Sequence, residues 1–259
     1  MTNPYHAYLS LYFETLLYYR HISNRVNNIF KNDIETYTNN EALIHLASAL
    51  VISDWTAPND NGWEINFHTG IHRETPKEKY KLEIEKITSR QLLLLYAQSF
   101  ESFERFLKDS LFHKSLTHPY LDLFLRDKVK NKNIEWGRQH MPSGINLYRS
   151  IQFATKKLIN EFSKKNNLGV NYKIVWCVLS EVRHAITHSE SKIKKCKIQK
   201  SEDHFEIFKY FFNHNELSED EILITIDYKK FDNLIKRFSE YGFQFFKIFS
   251  ISENLKWTL

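Results

Sequence analysis

Arg183, His184 and His188 lie within one short stretch of the chain, Trp-Cys-Val-Leu-Ser-Glu-Val-Arg-His-Ala-Ile-Thr-His-Ser-Glu-Ser, residues 176–191. Histidine is the side chain that gains and loses a proton near neutral pH, so His188 suits proton transfer. Arginine stays charged and presents a planar fork of donors to phosphate oxygens, so Arg183 suits an electrostatic role beside a reacting phosphate. His184 and His188, four residues apart, could instead place two imidazoles on one metal, with Glu181 or Glu190 nearby. The zincin pattern His-Glu-x-x-His is not met, because position 185 is Ala and no general base stands at the required place. In the plainest reading Arg183 and His188 are ordinary helix-end residues, the histidine favoured by the helix dipole.

The element that must position these groups is a helix. Val175, Leu179, Val182 and Ile186 recur at steps of three and four residues, the spacing of a buried helical stripe, and Asn171 is a suitable cap for its start. Positions five apart on an ideal helix differ by about 140°, so Arg183 and His188 would not share a face. Either the helix frays over the polar run Thr187–Ser191, or the site is a groove reached from two sides.

The remaining chain reads as mostly helical. Leu9, Tyr12, Phe13, Leu16, Tyr19, Ile22, Val26 and Ile29 predict a first helix over about 5–30. Thr38–Glu41 has the capping-box pattern, and Leu43, Leu46 and Leu50 predict a second helix towards Asp54, antiparallel to the first. Pro58–Gly62 is a turn cluster, and Trp63, Ile65 and Phe67 alternate as a strand would. Tyr80, Leu82 and Ile84 fit either a partner strand or a helix starting at Pro76, and the pattern does not separate the two. A second capping box, Thr88-Ser-Arg-Gln91, opens a helix with Leu92, Leu93, Tyr96, Phe100, Phe103, Leu107 and Leu111 on its buried side. A shorter helix from Pro119 to about Lys130 follows, then a polar loop over 135–144. Another helix carries Leu147, Ile151, Ala154, Leu158 and Phe162. After Ser191 come five lysines and no acid over 192–200, strand-like runs at 205–212 and 222–226, and a closing helix with Phe231, Leu234, Phe238, Tyr241, Phe245 and Phe249.

Twenty Phe and fourteen Tyr against six Gly and five Pro favour long helices over a loop-rich fold. Thirty-six basic residues against 31 acidic give a net charge of +5, which permits a polyanionic partner without requiring one. Cys177 and Cys196 form no Cys-x-x-Cys pair, which points to free thiols in a reducing compartment. The start of the chain is broken up by Glu14, Arg20 and His21, so no secretory signal is read there, and no stretch is long and apolar enough to span a membrane. The expectation is a cytoplasmic protein with no membrane association.

Arg183-x4-His188, with a polar residue directly after the arginine, resembles the signature of HEPN domains, a helical and usually dimeric family rich in metal-independent RNA-cleaving toxins and defence effectors. The run from Leu94 to Asp109 is similar to the HEPN helix that packs against the motif helix, with Tyr96, Ala97, Phe100 and Glu101 in its Tyr-Ala-x-x-aromatic-Glu places. The resemblance covers roughly 88–191 and 228–250, and not the N-terminal segment. It implies a HEPN-like helical bundle at 88–259 with a small β insertion near 192–227. Ahead of it stands an N-terminal helical segment at 1–87 with a possible β-hairpin, so the fold class is mainly α with short antiparallel β elements. It further implies an endoribonuclease without cofactor or metal, acting as a homodimer whose groove collects an Arg and a His from each protomer. Arg183 and His188 would be catalytic, and His184 and Glu101 supporting. Lys192, Lys194, Lys195 and Lys197 are candidate contacts to an RNA backbone. An antitoxin or another defence component is a possible partner, and a non-catalytic HEPN-like RNA-binding or dimerisation module that partners or regulates another component is the alternative.

Overall fold

The computed structural model of the chain describes residues 3–39, 41, 44–54, 66–127 and 136–258. The fold is mainly α-helical with short antiparallel strands, as the sequence predicts. In order, the elements are α1 (Tyr5–Thr38), β1 (Ile44–Ser53), β2 (Asn66–Pro76), α2 (Lys77–Thr117), α3 (Pro119–Asp127), α4 (Gly144–Ala154) and α5 (Leu158–Lys165). There follow α6 (Tyr172–His188), β3 (Lys192–Lys194), α7 (Lys195–Ile198), α8 (Glu202–Phe211), β4 (Asn213–Glu216), β5 (Glu221–Thr225) and α9 (Tyr228–Ser252). Two compact units are present, one of Met1–Asn24 with Ser89–Leu259 and one of Arg25–Thr88. The expected N-terminal segment was 1–87, whereas the smaller unit is Arg25–Thr88. The first part of α1, however, groups with the larger unit, because Tyr5, Leu9, Tyr12 and Leu16 are buried in that unit's core.

Aromatic rings on α1, α2, α6 and α9 build the larger unit's core. The Phe103 ring lies 4.8 Å from Phe238, 5.5 Å from Tyr241, 5.7 Å from Trp176 and 5.7 Å from Tyr12, centroid to centroid. A phenol can be buried here only if its hydroxyl finds an acceptor. Tyr12 donates to the Phe238 carbonyl at 2.9 Å, Tyr96 to Leu179 at 2.7 Å and Tyr241 to Tyr172 at 2.7 Å. Burial pushes all three phenols well above their ordinary range. Gly242 lets α1 and α9 approach, since a Cβ there would collide with the Tyr12 ring.

Several expectations for this unit are corrected. Thr88-Ser-Arg-Gln91 opens no helix, because α2 runs through it. Thr88 bonds back to the Ile84 carbonyl at 2.8 Å, and Ser89 accepts from the Ile226 backbone at 2.9 Å. The helix expected to carry both Leu147 and Phe162 is two helices, broken where Lys156 and Lys157 take left-handed conformations with φ of 48° and 66°. Residues 205–212 are not a strand: Ser201 caps α8, with Glu202 and Asp203 in its first turn, and Phe208 and Phe211 are buried at helical spacing. The aromatic-rich composition hid that period. The β insertion is real but smaller, a three-stranded antiparallel sheet in the order β3-β5-β4. Helix α3 is described to Asp127, and the rest of the segment expected to reach Lys130 lies outside the described residues.

In the smaller unit, the helix expected at Leu43–Asp54 is instead β1, paired antiparallel with β2 from Ile44 opposite Pro76 to Ser53 opposite Asn66. Pairing with a partner strand has overridden a local pattern that fitted either element. Phe67 is in β2 as predicted, whereas Trp63, Ile65 and the Pro58–Gly62 turn lie outside the described residues. Tyr80, Leu82 and Ile84 belong to α2: Tyr80 and Ile84 are buried and Leu82 is exposed, a helical and not an alternating pattern. Tyr80 packs on Tyr37 with rings 4.2 Å apart and bonds Asp33, and its phenol is pushed up to about 12, first by burial and then by that carboxylate.

Candidate functional site

Helix α6 is set at both ends by side chains. At its start Asn171 Oδ1 accepts from the Lys173 backbone at 3.0 Å and the Ile174 backbone at 3.4 Å, the cap the sequence predicts. Val175, Leu179, Val182 and Ile186 are all buried, as their spacing requires. At its end the helix continues unfrayed through His188 and closes on Ser189. Glu190 and Ser191 then take left-handed conformations, φ of 51° and 69°, which costs a residue with a Cβ roughly 1–3 kcal/mol each. The turn is held by Ser189 and Ser191 backbone N–H groups on the Ala185 carbonyl, both at 3.0 Å, and by Ile224 of β5 donating to the Ser191 carbonyl at 2.9 Å. Arg90 of α2 completes it, donating from Nη1 to Ser191 Oγ at 2.7 Å and to the Ile186 carbonyl at 3.4 Å.

Because the helix does not fray, the first of the two sequence alternatives is ruled out within one chain: Arg183 and His188 sit about 140° apart around an intact helix. Arg183 is half-buried against α2. Its Nη2 lies 3.8 Å from Glu101 Oε1 and 3.9 Å from Glu104 Oε2, and its buried Nε has no hydrogen-bond partner among the described residues. The two acids differ in kind. Glu101 is 56% exposed on its side chain and Glu104 only 10%, so Glu104 is the acid whose charge is least relieved by water. Glu104 also accepts from the Gly144 backbone at 2.9 Å, where α4 begins. His184 and His188 are both exposed on one face, their rings 4.7 Å apart. Thr187 turns inward along the helix, its hydroxyl donating to the Arg183 and His184 carbonyls at 3.0 and 3.2 Å.

The structure thus brings Arg183 to Glu101, and His184 to His188, but does not join the two pairs in one chain. Among the described residues no group of three or more His, Cys, Asp or Glu is placed to hold a metal. Glu181 faces Lys197 and Lys200, each at 3.5 Å, and Glu190 faces Lys192 at 3.3 Å. Those ion pairs bear on the lysines expected to meet RNA. Lys192 pairs with Glu190, Lys195 with Glu216 and Lys197 with Glu181, so three of the four are already matched to an acid, while Lys194 is exposed and pairs with no acid among the described residues. Cys177 is half-buried, which pushes its thiol up, and Cys196 is exposed; both are free.

Glu104 and Arg90 were missed from the sequence. Glu104 is one helical turn beyond Glu101 on α2, which was the available signal. Arg90 was absorbed into a capping box that does not form. A cavity of about 1140 Å³ lies elsewhere, at the opposite end of α6 beside Tyr172 and Val175, separated from His188 by nearly the whole helix. Among the described residues no helix is long and apolar enough to cross a membrane. No family model, curated protein or solved structure matches the chain.

Proposed function

We propose that the protein is a HEPN-type, metal-independent endoribonuclease that works as a homodimer. The observation that carries this reading is the placement of Arg183 and His188 on an unfrayed, well-anchored helix end, with the arginine braced by Glu104 and the histidines open to solvent. One chain holds the two groups on different faces, and a two-fold groove is the arrangement that would bring an arginine and a histidine together. His188 would move the proton between the 2′-hydroxyl and the leaving 5′-oxygen, and Arg183 would hold the charged phosphorane, giving a cyclic phosphate end. A toxin or anti-phage role, with an antitoxin or other restraining partner, is part of the same proposal.

The test is cleavage of tRNA by purified protein in EDTA. Arg183→Ala and His188→Ala should each lower the rate by about 10²-fold or more. Activity that disappears with chelator, or that survives both substitutions, overturns the assignment. A second reading is favoured by the Arg183–Glu104 contact itself, which also suits a purely structural arginine tying α6 to α2. In that case the protein is a non-catalytic RNA-binding or dimerising module, and RNA or partner affinity persists in both alanine variants with no cleavage by the wild type.

A further inference from the structure

The cavity of about 1140 Å³ lies among α5, the start of α6, α8 and α9, and the endoribonuclease proposal makes no use of it. Its volume lies somewhat above the usual span of small-molecule sites, roughly 300–1,000 Å³. Phe162, Val175, Ile207, Phe211 and Tyr241 give it an apolar lining. Tyr241, although a phenol, spends its hydroxyl on the Tyr172 carbonyl at 2.7 Å and so offers the cavity a ring without a donor.

The charges on the lining are unequal. Lys209 is matched by Glu206 at 2.6 Å, and Arg237 by Glu240 at 2.9 Å, with Arg237 Nε donating also to the Tyr210 hydroxyl at 3.1 Å. Lys165 and Lys247 have no carboxylate partner among the described residues; Lys247 lies only against the Trp257 and Phe162 rings, 3.7 and 5.8 Å from their centroids. Two uncompensated ammonium groups on an apolar hollow are complementary to a ligand with an apolar body and an anionic head. A phosphate head is the poorer match. The first-turn donors of α6, the nearest helix start, are already taken, Tyr172 N–H by Ser163 Oγ at 2.9 Å and Lys173 and Ile174 N–H by Asn171, and the one guanidinium is occupied.

We infer that this cavity is a binding site for a long-chain carboxylate, its chain against Phe162, Val175, Ile207 and Phe211 and its head between Lys165 and Lys247. The site is separate from Arg183 and His188, and the inference stands whether or not the chain cleaves RNA.

Calorimetric titration of the full chain with dodecanoate, dodecyl phosphate and dodecan-1-ol below their micelle concentrations tests it. Saturable binding of one dodecanoate per chain is expected, at least about tenfold tighter than the alcohol and tighter than the phosphate. Lys165→Ala with Lys247→Ala, both changes at the rim, should weaken dodecanoate about tenfold and leave the alcohol unchanged. Ile207→Trp, which puts an indole where the alkyl chain is placed, should weaken binding of all three while the thermal melt stays cooperative. No saturable dodecanoate binding, equal binding of acid and alcohol, preference for the phosphate, or a double lysine variant that binds as the wild type each overturns the inference.

Discussion

At the scale of single residues, the proposed chemistry also leans on a side chain that would touch no substrate. Arg183 is held by two carboxylates at nearly equal distance, but only Glu104 is shielded from water and fixed by a backbone donor of its own. An uncompensated charge in such a place is costly, so Glu104 and Arg183 need each other more than Glu101 and Arg183 do. Glu104→Gln should therefore lower the tRNA cleavage rate by about tenfold, while Glu101→Gln lowers it by less, read from single-turnover rates. If Glu104 acts by positioning, its loss appears in the rate of the chemical step and leaves RNA affinity close to wild type. Equal effects of the two substitutions would mean that the two carboxylates share the bracing role. Residue type and spacing pointed to Arg183, His184 and His188, and the family resemblance pointed to Glu101. Glu104 and Arg90 were hidden because their roles depend on where α2 lies against α6 and α4, and no local pattern encodes that.

At the scale of elements, long apolar stripes and the strand at β5 were readable, whereas β1 and the break between α4 and α5 were not. The stripes of α1, α6 and α9 fixed those helices, and Asn171 announced the start of α6. The pattern of β1 fits a helix as well as a strand until it pairs with β2, and the break between α4 and α5 rests on two left-handed lysines that no residue preference foretells. Close helix contact gives a direct check: Gly242→Ala forces a methyl group into the Tyr12 ring and should lower stability by about 1–3 kcal/mol in denaturant melts, without change in secondary structure at low denaturant. A second check concerns the junction of α2 with the end of α9, where Lys114, 2% exposed on its side chain, bonds Ser252 Oγ at 2.9 Å and Glu253, and His118 bonds Glu253 at 2.7 Å. Burial alone would raise the Glu253 carboxyl, but the hydrogen bonds from Lys114 and His118 bring it net below its ordinary value of 4.5. Its contribution to stability is thus complete above that ordinary value and is lost as pH falls through the lower, folded one. Lys114 runs the other way: burial lowers its ammonium, so its charged form costs stability that returns as pH rises through the folded value towards 10.5. Melting temperature followed from neutral pH down through about pH 3 should drop more in the wild type than in Glu253→Gln, with the difference confined to the acid limb.

At the scale of the whole molecule, the proposal stands or falls on two chains meeting. An Arg and a His on different faces of one helix cannot act together in a monomer, so cleavage should depend on association. Specific activity is expected to fall on dilution in step with dissociation seen by light scattering, and to be recovered on concentration; a monomer of full specific activity would end the two-fold reading. Net charge predicts little here, since three of the four lysines expected to meet RNA already face Glu190, Glu216 and Glu181. The binding of RNA by this face would therefore depend on salt only gently. Glu104 receives the first backbone N–H of α4 and leans on the guanidinium of α6, so one oxygen pair serves two clients on separate helices. Under the proposal, a disturbance that tugs Gly144 out of its left-handed pose, φ 55°, would reach Arg183 through Glu104. Loss of function from a change there would look, to anyone mapping variants onto Arg183 and His188 alone, like action at a distance.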